Sequence, residues 1–139
     1  MIHSTKNLEE RSIPVSITQA ALNIARFFAD EQVTPEKKKQ VYLNTLAVCA
    51  VNDYMEMMNI PTDPRTSDSW NCAMHYYADV ADLKLSGLGH LECRPLANGN
   101  LCYIPPEVPD DRIGLVVVEL DIEHQQATLI GFTKTVKAG

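Results

Sequence analysis

The segment "TPEKKKQVYLNTLAVCAVNDYMEMMNIP" constrains the fold more than any other. Thr34 can cap a helix, Pro35 suits the first helical position, and Ile60-Pro61 stops the run, so the sequence predicts a helix extending to about residue 59. Leu43, Leu46, Ala47, Ala50, Val51, Tyr54, Met57 and Met58 spread over nearly half of its circumference and must face a core. The other half mixes Asn44, Thr45, Asn52, Asp53 and Glu56 with Val41, Val48 and Cys49, more apolar than a solvated face. Such a helix needs cover on two sides, and cover by the later part of the same chain is preferred over cover by a partner.

A shorter helix is expected before it, over about residues 17 to 31. Ser16 and Gln19 form a capping box, and Ala21, Leu22, Ile24, Ala25, Phe28 and Ala29 fall on one arc. "PTDPRTSDSWN" is turn chemistry, and one more short helix can follow it before residue 81. From Asp82 onward the period changes to two. "DLKLS" and "GHLECRPL" flank a glycine-bearing turn, Asn98-Gly99-Asn100 signals a hairpin between "ECRPL" and "LCYIP", and "ATLIGF" should return antiparallel to "IGLVVVELD". The predicted class is α+β: two N-terminal helices packed on a small, strongly bent antiparallel sheet or barrel of about five strands. Residues 1–12 read as a mobile arm. Residues 13–139 read as one domain, with a helical half over about 13–81 and a β half over about 82–136.

At 139 residues a single core can form without disulfides or metal. The net charge of -6 argues against a nucleic-acid or anionic-membrane footprint, and the basic run Lys37-Lys38-Lys39 sits at a helix start as a solvated face. No secretory signal or membrane-spanning run is visible, so the expected location is the cytoplasm, where Cys49, Cys72, Cys93 and Cys102 would be free thiols. No phosphate-binding glycine loop, Gly-x-Ser-x-Gly, His-Glu-x-x-His or Cys-x-x-Cys occurs, and no cofactor is expected.

The richest stretch chemically is "LGHLECRPL", with His90, Glu92, Cys93 and Arg94 in five positions. Together with Cys72 and His75, His90 and Cys93 make a formal Cys2His2 set. On a strand, however, Leu91 and Cys93 point one way while His90, Glu92 and Arg94 point the other. His90 and Cys93 then cannot share an ion or act as base and nucleophile, and buried cysteines with surface histidines are the preferred reading. Asp82 with Glu92-Cys93-Arg94 resembles the metal-binding Asp…Glu-x-Lys pattern of restriction-type nucleases, but with an arginine that cannot serve as a base. Glu92 and Arg94 share a face. They are expected either to pair with Glu107, Asp110, Asp111 or Arg112 of "PPEVPDDR", stapling that connection to the sheet, or to present a charged recognition surface centred on Arg94. The helix face around Asn44 and Asn52 is the next candidate interface.

The blocks "VYLNTLAVCAVNDYMEMM", "DSWN", "DVADLKLSGLGHLECRPL", "CYIPPEVPDDRIGLVVVELD" and "ATLIGF", in this order over roughly residues 13 to 133, resemble the N-terminal part of a cyanobacterial family catalogued as domain of unknown function 1822. The family pattern carries over onto Asn44, Asn52, Tyr54, Trp70, Asp82, Leu83, Glu92, Cys93, Arg94, Pro95, Pro106, Glu107, Arg112 and Gly114, and leaves out Cys72, His75 and His90. Members are usually longer, so the resemblance implies a short member or an excised domain. Members often stand beside genes for alternative sigma factors and caspase-like or sensor proteins. The implied role is a non-enzymatic protein-binding module in bacterial signalling or transcriptional control, with a sigma factor or signalling protein as partner. The alternatives are a metal-assisted or thiol-dependent hydrolase or nuclease, and a homo-oligomeric structural module.

Overall fold

The computed structural model describes residues 2–4, 12–96 and 101–133. Among them the elements run β1 (Ile2–Ser4), β2 (Ile13–Ser16), α1 (Gln19–Asp30), α2 (Pro35–Met57), α3 (Cys72–Tyr77), β3 (Asp82–Leu85), β4 (Gly89–Pro95), β5 (Leu101–Tyr103), β6 (Gly114–Asp121) and β7 (Gln126–Thr133). Two 3₁₀ turns, Pro64–Thr66 and Asp68–Trp70, precede α3. The fold is α+β, with the N-terminal helices packed on a five-stranded sheet.

The long helix, α2, starts at the expected cap, where the Thr34 hydroxyl accepts from the Lys37 N–H at 3.2 Å. It ends at Met57 because Asn59 takes a left-handed φ of 59°, which lets the Asn59 and Ile60 N–H groups bond back to Glu56 and Met55. Met57 and Met58, expected in the core, therefore lie exposed at the fraying end. Farther up, α2 is buried on both sides. Leu46, Ala47, Val48, Ala50 and Val51 share one core with Leu22 and Ala25 of α1 and with Leu83, Leu91, Cys93, Val116 and Val118 of the sheet. The mixed second half of the helix is thus covered by this chain, and buried Thr45 satisfies its hydroxyl on the Val41 carbonyl at 2.7 Å.

The first helix starts later than the capping box suggested. Ser16 is held in β2, paired with Gln126 of β7, so the cap passes to Thr18, whose hydroxyl accepts from the Ala21 N–H at 3.1 Å. A strand therefore precedes the helical half, and the pairing of β2 with the last strand is not visible in local periodicity.

The strand order is β2-β7-β6-β4-β3, with β2 and β3 as the outermost strands. All neighbours are antiparallel except β4 and β6, which run parallel in the register Leu91↔Gly114 to Pro95↔Val118. The sheet is accordingly mixed and unclosed, where an antiparallel sheet or barrel was expected. The hairpin expected at 98–100 falls partly on residues 97–100, outside those described. Its two strands do not pair, because β3 and β6 occupy both sides of β4, and β5 instead pairs with β1 (Ile2↔Tyr103). The expected mobile arm falls largely on residues 1 and 5–11, also outside the described residues, as are residues 134–139.

The turn-rich segment after α2 lies along the outer edge of β3. The Asp63 N–H donates to the Lys84 carbonyl, the Ser86 N–H to Pro61, and the Lys84 N–H to the Ser67 hydroxyl, so this edge is not left open. Gly89 opens β4 at a φ of 129°, and a Cβ there would stand 3.0 Å from Ile113 Cγ2, which is why glycine sits at this corner. On the face away from the helices, Cys102, Ile104, Val108, Leu115, Val117 and Ile130 form a second, smaller core. The residues of β4 divide between the two faces, and that division builds the site.

Candidate functional site

Leu91 and Cys93 join the helix-side core, so Glu92 and Arg94 must face the other way. Both are buried, at 1% and 2% exposure, beneath the connection that carries "PPEVPDDR". Isolated charges there would be prohibitively costly, and the structure pairs them. Arg94 donates from Nε to Glu92 Oε2 at 2.6 Å, from Nη1 to Asp79 Oδ1 at 2.6 Å and from Nη2 to the Asp79 carbonyl at 2.9 Å. Arg112 donates from Nε to the other oxygen of Glu92 at 2.9 Å, and its Nη1 stands 3.6 Å from Asp111 Oδ1. Asn44 of α2 closes the chain, donating to Asp79 Oδ1 at 2.6 Å. The result is a continuous line Asn44–Asp79–Arg94–Glu92–Arg112 that ties α2, the end of the α3 connection, β4 and the proline-rich segment together.

The electrostatics follow from burial. Desolvation alone would lower the Arg94 pKa, but Glu92 and Asp79 together outweigh it and hold the guanidinium charged. Burial raises the Glu92 carboxyl above the ordinary glutamate range, against the opposing pull of Arg94 and Arg112. Next to the line lies a pocket of about 260 Å³. Glu92 and Arg94 contribute to it from the sheet, Asp68, Met74, Ala78 and Asp79 from one side, and Glu107, Val108, Pro109 and Arg112 from the other.

A second polar cluster occupies the same sheet face. Asp82, fully buried, accepts from the backbone N–H groups of Asp68 (3.1 Å) and Ser69 (2.8 Å) and from His90 Nδ1 (2.7 Å). His75 donates from Nε2 to the Ser69 carbonyl, leaving Nδ1 without a partner among the described residues. Desolvation lowers the His75 pKa, consistent with a neutral ring packed edge-on to Phe28.

Of the residues singled out from sequence, Asn44, Glu92, Arg94 and Arg112 come together in one network. Glu107 and Asp111 stand exposed beside it. Asn52 lies apart, accepting from the Thr62 hydroxyl at 2.6 Å. Glu92 and Arg94, offered as a recognition face, have almost no surface to present. The Cys2His2 residues are not assembled: Cys93 faces the helices, His90 faces Asp82, Cys72 is exposed, and His75 is buried rather than on the surface. Among the described residues no three His, Cys, Asp or Glu side chains form a metal-ligating group. Asp82 and Glu92 do not resemble a nuclease metal pair either, since internal donors already occupy their oxygens. Burial drives the Cys93 thiol well above its ordinary value and Cys49 and Cys102 to about 12 and about 11, the opposite of a nucleophile's environment.

Asp79 was missed. Its signal was indirect: Arg94 is flanked by one local carboxylate, and a buried guanidinium with five donors needs more than one acceptor. The pocket's partner wall was missed for the same reason, since it depends on where residues 68–81 settle.

Among the described residues no helix is long and apolar enough to cross a membrane. No curated protein and no solved structure matches the chain. The model of the family described as "Protein of unknown function (DUF1822)" matches residues 15–138. That span contains every element from α1 to β7, together with the whole ion-pair line, and the chain belongs to this family.

Proposed function

We propose that this chain is a non-enzymatic protein-binding module of bacterial, cyanobacterial-type signalling or transcriptional control, and that its contact surface is an aromatic patch rather than the buried Glu92 and Arg94 face. The observation that carries the reading is the exposure of large apolar side chains where α1 and α3 meet. Tyr77 is 83% exposed, Tyr76 63% and Phe27 58%, with Val33 close by in sequence. Tyr76 and Tyr77, with Glu31, Gln32, Cys72 and Ala73, line an open depression of about 390 Å³, and Phe27 lies in the last turn of α1, which Glu31 caps. Protein interfaces concentrate their energy in such aromatic anchors, and exposed clusters of large apolar side chains mark interaction surfaces.

A sigma factor or a signalling protein is the partner class that the family's setting suggests. The experiment is affinity capture with the wild type, with Tyr76→Ser/Tyr77→Ser, and with Glu123→Ser in the exposed β6–β7 turn as control. A partner retained by wild type and control but lost by the double variant supports the patch. Equal recovery by all three refutes it. Sedimentation of the purified protein distinguishes a second copy of this chain from a different partner.

A further inference from the structure

The geometry points to the pocket above the ion-pair line as a binding site for a small aliphatic ammonium group. At about 260 Å³ it falls just below the range that holds drug-sized ligands, so it suits a single short chain or side chain rather than a nucleotide. Its walls are largely hydrocarbon: Met74, Ala78, Val80 and Ala81 face Val108 and Pro109. Its charged lining is unbalanced. Four carboxylates, those of Asp68, Asp79, Glu92 and Glu107, face two guanidiniums, those of Arg94 and Arg112.

The balance matters because the cations are already engaged inside the protein. Arg94 is committed to Glu92 and Asp79, and Arg112 shares Glu92 and lies against Asp111. Lys37, behind the Ala78 carbonyl to which it donates at 2.9 Å, offsets one further negative charge. Negative charge is still in excess, and the most accessible of it is on exposed Glu107 and half-buried Asp68. An entering anion would meet that field and two committed arginines. An entering alkylammonium would place its chain along the apolar walls and its charge among the carboxylates. Among the described residues no aromatic ring lines the pocket, so the recognition is of charge and chain length, not of a cation held against π faces.

The test is calorimetric titration of the full chain with methyl-, propyl- and pentylammonium chloride and with sodium pentanoate. Affinity is expected to rise by up to about fourfold for each added methylene, the value of burying one CH2. Pentanoate, of matching length and opposite charge, is expected to bind at least tenfold more weakly than pentylammonium, about the effect of 1.4 kcal/mol. The Asp68→Asn/Glu107→Gln variant is expected to lose about fivefold in pentylammonium affinity, as two partly exposed ion pairs would give. Equal binding of pentanoate, indifference to chain length, or unchanged affinity in a folded variant overturns the assignment. Should the variant fail to fold, the chain-length and charge series on the wild type decides alone. Nα-acetyl-lysine amide supplies the remaining arm: binding as tight as pentylammonium supports a partner's lysine as occupant, and its exclusion while pentylammonium still binds supports a free amine.

Discussion

Replacing Arg94 by methionine keeps an unbranched chain of similar reach and removes the guanidinium at the middle of the ion-pair line. Glu92, at 1% exposure, is left with Arg112 alone, and the Asp79 carboxylate is left with Asn44. Removing one partner from a buried ion pair costs about 3–5 kcal/mol, because the remaining charge is stranded away from water. The Asp79 side chain is 18% exposed and can recover some hydration, which places the expectation near the lower end, about 3 kcal/mol. For a domain whose total stability is about 5–15 kcal/mol this is a large fraction, and urea unfolding at constant m-value measures it as a shift in midpoint. The cause can be separated from lost packing by adding Glu92→Gln, which removes the stranded charge but leaves an acceptor for Arg112. The double variant is expected to be less destabilised than the sum of the two single changes, with a coupling of about 1–3 kcal/mol. Acidity provides a further check. The Glu92 pKa is already raised in the folded protein, and losing Arg94 raises it more, so Arg94→Met should lose stability as pH rises through that value and approach the wild type as pH falls. A cost below about 1 kcal/mol, the value of a surface pair, or strict additivity of the two changes, would refute the view of the line as a buried, interdependent unit.

Two further expectations concern the remaining buried chemistry. Iodoacetamide at pH 8 should modify only Cys72 in the folded chain and all four cysteines after unfolding, as read by mass spectrometry, because Cys49, Cys93 and Cys102 are buried with raised pKa values; labelling of Cys93 in the native protein would revive the thiol-enzyme alternative. His75 has its pKa lowered from 6.5 by burial, so the unfolded chain binds the proton more readily and stability should decline as pH falls below 6.5; His75→Phe should flatten that decline in thermal melts from pH 5 to 8, and identical profiles would remove His75 as its source.

Local rules were enough for much of this molecule. Thr34 and Pro35 fixed the start of α2, the mixed character of its second face announced cover on two sides, and strand alternation placed Cys93 and Arg94 on opposite faces of β4. What escaped depended on contacts between distant segments. Ser16 carried a correct capping signature, yet pairing with β7 drew it into the sheet. Asn98-Gly99-Asn100 carried a hairpin signature, yet β4 had both neighbours taken by β3 and β6. Asp79 sits between Ala78 and Val80 with no local cation beside it, and acquires its role only when the end of β4 delivers a guanidinium to it. The aromatic patch escaped for a similar reason: Phe27 is one more apolar residue on α1, and Tyr76 and Tyr77 look like core candidates until α3 is seen to turn them outward.

The pairing of β2 with β7 also bears on how the protein is made. Ile13 meets Leu129 across the sheet, so β2 has no strand to bond until β7, far along the chain, has been made. Until then β2 is an unpaired strand, and the core shared by α1, α2 and the sheet lacks Ala127 and Leu129. A chain lacking residues 126–129 therefore leaves β2 and β6 without the neighbour they share, and their backbone groups open to pairing with another chain.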